Sequence, residues 1–244
     1  MTGLFSLLQK KIHPVTCSAV IVAAGSARRM EGIDKILAPL GELPVLVHTL
    51  YAFQDCERFD EIIIVTREDL IVEISRLCKE FRFDKVRKVI VGGKERIDSV
   101  RAGICEVRPD AQLIAIHDGA RPLVTQEILN ETVSTAEKTG AAAPAIPLTD
   151  TIKVAERGLT QETLDRSKLF AIQTPQIFDS ALIKAALEKA IQDGENLTDD
   201  CAAVERMGMK VSLTKGSKEN IKLTTPFDLL LGTAILEARV KGAL

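Results

Sequence analysis

Ala19-Val20-Ile21-Val22-Ala23-Ala24-Gly25-Ser26-Ala27-Arg28-Arg29-Met30, with Lys35 beyond it, is the stretch on which the reading of the chain turns. Ala19 to Val22 is a continuous, largely β-branched run, the pattern of a strand buried on both faces of a parallel sheet. Ala23, Ala24 and Gly25 are small enough for a ligand to approach the backbone, and Gly25 is free to take positive φ. A turn of this kind, running on through Ser26, presents successive N–H groups to phosphate oxygens. Arg28, Arg29 and Lys35 place fixed positive charge beside it. The turn predicts a nucleoside triphosphate site; taken alone, it also fits an ordinary strand-to-helix turn with solvated arginines. It is not a Walker A loop, because no Gly-Lys-Ser/Thr follows. Nor is it a dinucleotide fingerprint, since Ala27 stands where a second glycine is needed.

Outward from this point, strand-like and helix-like segments alternate. Pro44 opens a helix through about Gln54, with Val45, Leu46, Thr49, Leu50 and Phe53 at helical spacing. Glu61 to Val65 reads as a buried strand, and Thr66 as the cap of a helix reaching about Phe81. Val86 to Val91 is a strand ending in Gly92-Gly93, followed by a helix from Glu95 to Val107. Leu113 to Ile116 is a strand ending in His117-Asp118-Gly119, then come a helix from Thr125 to Thr139 and a strand from Ala141 to Ile146. This order predicts an α/β fold with a mostly parallel, Rossmann-like sheet and helices on both faces. Ligands of such sheets bind at the carboxyl ends of the strands, where Gly25, Gly92-Gly93 and Asp118-Gly119 all fall.

The pattern loosens from Pro147 to Phe170. Thr149 to Val154 and the residues around Arg157-Gly158-Leu159-Thr160 read as a projecting β-hairpin, which needs something to pack on. Helices resume over Asp179 to Gln192 and Thr198 to Met207, and a last one starts at Thr225-Pro226. The parse is an N-terminal extension over residues 1–17 and one domain over 18–244, with an arm at about 147–170.

The 244 residues, 46% hydrophobic and 27% charged, suit a globular protein with a substantial core. A net charge of −2 argues against a surface that coats nucleic acid, while leaving room for a local cationic pocket. Cys17, Cys56, Cys78, Cys105 and Cys201 are irregularly spaced and form no Cys-x-x-Cys pair, which suits free thiols in a reducing compartment. The apolar run near Leu4 to Leu8 precedes its lysines and is short, unlike a signal peptide, and no stretch approaches a membrane span. A cytoplasmic protein is expected.

Further chemistry lies at the other strand ends. Gly92 and Gly93 free backbone groups to hydrogen-bond a flat base, with the Ser99 hydroxyl one turn into the helix. The alternative is a glycine turn before a charged helix start. Asp118 suits Mg²⁺, which takes few protein ligands and several phosphate oxygens. Arg121 suits a phosphate through its bidentate fork. His117 receives no role beyond ending the strand. Thr151, Arg166, Thr174, Thr198 and Lys222 are small donors or cations in apolar or loop contexts. Lys222, read as mid-strand, faces either solvent or the site.

Taken in order, the Ala23-Ala24-Gly25 turn with Arg28-Arg29-Met30, Lys35, Gly92-Gly93 through Asp98-Ser99, His117-Asp118-Gly119-Ala120-Arg121-Pro122, Asp150-Thr151-Ile152-Lys153, Gln173-Thr174-Pro175-Gln176, Thr198-Asp199-Asp200 and Asn220-Ile221-Lys222 resemble the 2-C-methyl-D-erythritol 4-phosphate cytidylyltransferases of the non-mevalonate isoprenoid pathway. The resemblance runs from about Ser18 to Leu236. It implies a nucleotidyltransferase sheet, a homodimer with shared active sites joined by the arm, a divalent cation such as Mg²⁺, and CTP and a phosphorylated alditol as substrates. It also implies that Arg29 and Lys35 stabilise the transition state, that Arg166 and Lys222 hold the attacking phosphate, with Arg166 from the partner subunit, and that Asp118, Arg121, Thr151, Thr174 and Thr198 complete the acceptor pocket. The sequence departs from the family pattern at Ala27, where glycine is usual, and at Lys94, where an acid is common. A cytidylyltransferase for another alditol phosphate, such as ribitol 5-phosphate, shares the fold and the triphosphate turn. A catalytically silent nucleotide-binding module would be expected to lack Arg29, Lys35 or Lys222.

Overall fold

The computed structural model describes residues 15–25, 34–195 and 197–243. Its framework is a run of buried Val and Ile strands. β1 (Cys17–Val22) lies between β4 (Glu61–Thr66) and β6 (Leu113–Asp118), parallel to both, and β4 pairs in parallel with β5 (Val86–Val91). Two short strands, β2 (Pro39–Leu40) and β3 (Leu43–Pro44), form a separate ribbon. Beyond β6 the sheet continues through β11 (Gln176–Asp179), which is antiparallel, to β7 (Ala141–Pro147). β7 also pairs with β10 (Phe170–Ile172), antiparallel, and with β12 (Ser212–Lys215), parallel.

Both faces of this sheet are covered, which is why its central strands are apolar without a break. Alternate residues go to opposite sides. Ala19 and Ile21 of β1 and Ile62 and Ile64 of β4 join one core cluster, while Val20, Ile63 and Val65 join the other. The first cluster is closed by α1 (Val45–Gln54), α2 (Ile71–Glu80) and α4 (Gln126–Thr139). The second is closed by α3 (Arg96–Cys105), α5 (Ser180–Gln192) and α6 (Asp200–Arg206). A smaller cluster of Leu40, Val45, Leu123, Leu223 and Ile235 seats α7 (Pro226–Val240).

Helix starts follow their caps. Thr125 accepts from Ile128 N, Asp179 from Ala181 N and Leu182 N, and Thr225 forms a capping box with Asp228 ahead of Pro226. Glu95 and Asp98 form another at α3. Thr66 corrects its sequence reading: it is the last residue of β4, paired with Val91, and α2 begins only after a 3₁₀ turn at Glu68–Leu70. Pairing with the neighbouring strand takes the backbone that a cap would have needed. Lys222 corrects its reading too, since residues 220–224 form no strand; Leu223 N is instead tied to Ala120 O at 2.8 Å.

The arm is a two-stranded hairpin, β8 (Lys153–Glu156) and β9 (Leu159–Thr163), exposed along its length. Arg157 and Gly158 at its tip both have positive φ, 51° and 80°, the geometry of the two-residue turn whose twist matches the strands. The cysteines are free as expected, four of them buried and Cys105 exposed. Among the described residues, no helix is long and apolar enough to cross a membrane.

Helix α3 lies so close to the sheet that a Cβ added at Gly103 would fall 2.4 Å from Val20 Cγ1 and 2.8 Å from Val65 Cγ2. In an exposed helix Gly→Ala gains about 1 kcal/mol. Here Gly103→Ala is expected to lower stability instead, by about 1–3 kcal/mol, because two β-branched core side chains must give way. Thermal denaturation checks the sign; stabilisation would mean that α3 does not sit this close.

Candidate active site

Four parallel strand ends converge at one edge of the sheet, and hydrogen bonds carry their ladders on into the loops. Ala23 N donates to Val65 O, Gly119 N to Val22 O at 2.9 Å, and Gly92 N to Thr66 O at 2.7 Å. The resulting cleft has a volume of about 260 Å³. Its wall includes Ala23, Ala24, Gly25, Lys35, Gly93, Ser99, Asp118 and Lys222, so eight of the residues singled out from sequence share one cavity. An added Cβ on Gly25 would lie 3.7 Å from Lys35 Nζ, which places that ammonium over the small-residue turn. Ser26, Arg28 and Arg29 lie outside the described residues.

The glycine loop opposite is closely fitted. A Cβ on Gly92 would meet Ser99 Oγ at 2.7 Å and Ala24 Cβ at 2.8 Å, and one on Gly93 would meet Asp98 Cβ at 2.1 Å. Only glycine fits at either position. Ser99 Oγ accepts from Gly93 N at 3.1 Å and can donate to Glu95 O at 3.2 Å. The serine hydroxyl therefore shapes the loop.

Asp118 is 8% exposed at the end of β6. Lys222 Nζ lies 2.9 Å from its Oδ2, and Arg121 Nε lies 3.5 Å from the same oxygen. Burial alone would raise this carboxyl; Lys222, Arg96 and Arg121 more than reverse that and hold it at about 2. Arg121 Nη1 donates to Asn220 O at 2.7 Å, while its buried Nε finds no hydrogen-bond partner among the described residues. His117, wholly buried behind Asp118, is pushed down to about 4 by desolvation and is neutral at ordinary pH. Thr174, 4% exposed, accepts from Asp118 N at 3.1 Å.

Arg96 was not singled out from sequence, yet it lines the cleft and grips Asp200 through two bonds, at 2.8 and 2.6 Å. Asp200 N and Cys201 N donate to Gln176 Oε1, and Gln176 Nε2 donates to Asp199. This network moors the start of α6, and with it the segment bearing the exposed Thr198, to the start of α3. The only sequence signal was an arginine in the first turn of a helix, which is commonplace. Thr151 and Arg166 are exposed at the base of the arm and do not line the cleft; Arg166 Nη1 donates to Thr149 O at 2.8 Å.

A cleft between a small-residue turn, a glycine loop and a carboxylate surrounded by cations can hold a phosphorylated nucleotide with its charge neutralised. As a metal ligand, Asp118 is a single carboxylate, and among the described residues no three His, Cys, Asp or Glu gather as a cation cage. That donor set fits a divalent ion held mainly by nucleotide phosphates.

Comparison with known proteins gives the same picture. Residues 17–238 match the family described as IspD, 2-C-methyl-D-erythritol 4-phosphate cytidylyltransferase. A protein of that name from Halalkalibacterium halodurans is 44% identical over 90% of this chain and 96% of its own. Another, from Caldanaerobacter subterraneus subsp. tengcongensis, is 45% identical over 90% and 98%. The crystal structure of 4-diphosphocytidyl-2C-methyl-D-erythritol synthase from Anaerococcus prevotii superposes with a TM-score of 0.82 at 31% identity, covering 91% of this chain and 98% of that one. With its strand ends, glycine loop and paired Asp118 and Lys222 in one cleft, and with a match across nearly its whole length, the chain belongs to the 2-C-methyl-D-erythritol 4-phosphate cytidylyltransferase family.

Proposed function

We propose that this cleft joins CTP to 2-C-methyl-D-erythritol 4-phosphate, giving 4-diphosphocytidyl-2-C-methyl-D-erythritol and pyrophosphate. The observation that carries the reading is the single cavity shared by the Ala23-Ala24-Gly25 turn, Lys35, the Gly93 loop, Asp118 and Lys222. An oxygen of the acceptor's phosphate attacks the α-phosphorus of CTP. The new P–O bond forms as the bond to the oxygen bridging the α- and β-phosphates breaks, and pyrophosphate leaves with that electron pair. The nucleophile is already an anion at neutral pH, so the protein's work is positioning and charge stabilisation.

In this reading the backbone of Ala23 to Ser26 and the Arg28 side chain cradle the triphosphate, while Gly92, Gly93 and Ser99 hold the base. Arg29 and Lys35 face the charge that builds on the reacting phosphorus. Lys222, with Arg166, holds the acceptor phosphate beside Asp118, and Arg121, Thr174 and Thr198 lie towards the acceptor. A divalent cation such as Mg²⁺, once bound with the nucleotide, screens the triphosphate and eases departure of pyrophosphate. Asp118 would be the carboxylate that contacts it.

Thr151 and Arg166 complete the acceptor site from a partner subunit. Support comes from the arm, residues 147–170: both strands are exposed along their length, with Leu159 70% exposed. A hairpin alone in water is marginally stable, and a second subunit supplies the missing surface.

The assay is release of pyrophosphate from CTP, Mg²⁺ and each alditol phosphate in turn. 2-C-Methyl-D-erythritol 4-phosphate should be the preferred acceptor; preference for ribitol 5-phosphate would reassign the substrate. Lys35→Ala should depress turnover by roughly 10²–10³ with a much smaller change in CTP affinity, because the ammonium acts on charge that develops in the transition state. Near-normal turnover would remove Lys35 from the chemistry.

Cytosine should be read by the glycine loop. Its amino group donates where uracil has a carbonyl acceptor, and a mismatched buried polar pair costs roughly 1–3 kcal/mol. CTP should therefore exceed UTP in kcat/KM by about tenfold or more. Equal efficiency would mean that the base is not read here.

Arg166 should act across the subunit boundary. When Arg166→Ala and Lys35→Ala chains exchange subunits, each heterodimer has one site with both defects and one with neither. Activity should then rise above that of either parent. No recovery in demonstrated heterodimers would place Arg166 in its own subunit's site or outside the chemistry.

A further inference from the structure

Asp118 and Arg121 are the two ends of one short turn, and both are tied to the same buried side chain. His117 Nε2 lies 3.2 Å from Arg121 O, and its Nδ1 lies 3.0 Å from Thr174 Oγ1. Thr174 Oγ1 in turn lies 3.1 Å from Asp118 N. The proton positions follow from what each atom is able to do. A carbonyl oxygen only accepts, so Nε2 carries the hydrogen and donates to Arg121 O. The ring is fully buried and packs on Phe53, with centroids 4.9 Å apart, which disfavours the imidazolium, so Nδ1 is bare and accepts from the Thr174 hydroxyl. The hydroxyl spends its one proton there, and its oxygen accepts from Asp118 N–H.

We infer that His117 is a positioning residue for the reaction proposed above, fixing Asp118 through Thr174 and Arg121 directly, by a directional relay from Asp118 N–H to Thr174, to His117, to Arg121 C=O. Each link has one polarity, so the relay sets both ends of the turn at once. Asp118 and Arg121 have little freedom otherwise, since Arg121 Nη1 reaches Asn220 O and Lys222 reaches Asp118. A turn that slipped would carry the carboxylate and the guanidinium out of line together, and small misplacements of positioning groups cost rate steeply. The relay also defines Thr174. Its proton is committed, leaving one lone pair, so it is equipped to accept from an acceptor hydroxyl and not to donate to a phosphate.

Two measurements test this, one of them independent of activity. In the unsubstituted protein at neutral pH, the imidazole ¹⁵N shifts of His117 should report hydrogen on Nε2 and a bare Nδ1; the opposite tautomer would overturn the relay. The second measurement uses His117→Leu, which removes both bonds, His117→Asn, which offers an amide near the Nδ1 position, and His117→Gln, which offers one near Nε2. At a temperature where all are folded, Leu should lower kcat/KM for the acceptor at least tenfold. Asn and Gln should each recover part of that loss, and Thr174→Val combined with His117→Gln should be no worse than Thr174→Val alone. A folded His117→Leu protein with a lowered Tm but unchanged kcat/KM would make the histidine a packing residue and overturn the inference. Because this rests on the proposed reaction, the parent serves as the control. An inactive parent defeats the reaction itself, whereas an active parent with indifferent variants defeats only the positioning role.

Discussion

A carboxylate held almost out of water needs charge around it, and Asp118 gathers that charge from two distant parts of the chain and from its own turn. Removing such a group from solvent costs several kcal/mol unless cations and hydrogen bonds offset it. Lys222 comes from the segment before the last helix, Arg96 from the first turn of α3, and Arg121 from the far side of the same turn. On the proposed reaction, the cations that neutralise Asp118 in the free protein include those that an arriving phosphate would meet. The electrostatic condition for folding the strand end and the condition for binding an anion are thus met by the same side chains. This accounts for residues 220–224 lying where they do without a strand to hold them. Leu223 N reaches Ala120 O, and buried Asn220 donates to Gln173 Oε1 and Thr174 O.

The sheet supplies the frame for that arrangement. Parallel neighbours on both sides of β1 bring the ends of four strands to one edge, and ladder bonds run past the last strand residues into Ala23, Gly92 and Gly119. Small residues are needed there because the loops touch one another. Gly92 lies against Ala24 and Ser99, and a side chain on Gly119 would meet Ala23 Cβ at 3.1 Å. The opposite edge is secured differently, by a buried Glu61 that accepts from Ser18 Oγ at 2.6 Å and Arg108 N at 2.7 Å. Glu61 is also paired with Arg87 Nη1 at 3.2 Å, so its oxygens are occupied on the side away from the cleft, whereas Asp118, Lys222 and Arg96 line the cleft.

What could be read from the sequence was what depends on local pattern. The Val and Ile strands, the capped helices at Thr125, Asp179 and Thr225, and the arm's turn all follow from neighbours a few residues apart. The small-residue turn, the glycine pair and Asp118 were legible because strand ends are where such sheets bind ligands. Thr66 misled because a threonine after a strand suits either a cap or one more strand position, and only pairing with Val91 decides. Arg96 and His117 gave no usable signal. Their roles come from partners more than fifty residues away, Asp200 for one and Thr174 for the other, and no window along the chain brings those together. Lys222 was recognised as a candidate but assigned the wrong backbone, since its alternation with apolar neighbours reflects contacts with Ala120 and α7, not a sheet.

The arm follows a different logic from the rest of the chain. Its turn is locally ideal, yet Val154 and Leu159 stand 44% and 70% exposed, so local geometry gives it shape without giving it a core. Arg166 is fastened to Thr149 O at the arm's base, so its guanidinium moves with the arm and not with the cleft. On the proposed assembly this divides the site into two halves. The nucleotide half would draw on one chain, since the glycine loop, Lys35 and Asp118 line a single cleft of it. The acceptor half depends on association, because Thr151 and Arg166 reach a cleft only when a second copy presents them. Conditions that separate the subunits would then weaken acceptor capture and leave most nucleotide contacts in place. On that assembly the site that holds the leaving group is built by folding, whereas the site that holds the attacking phosphate is begun by folding, at Lys222, and completed by association, at Arg166.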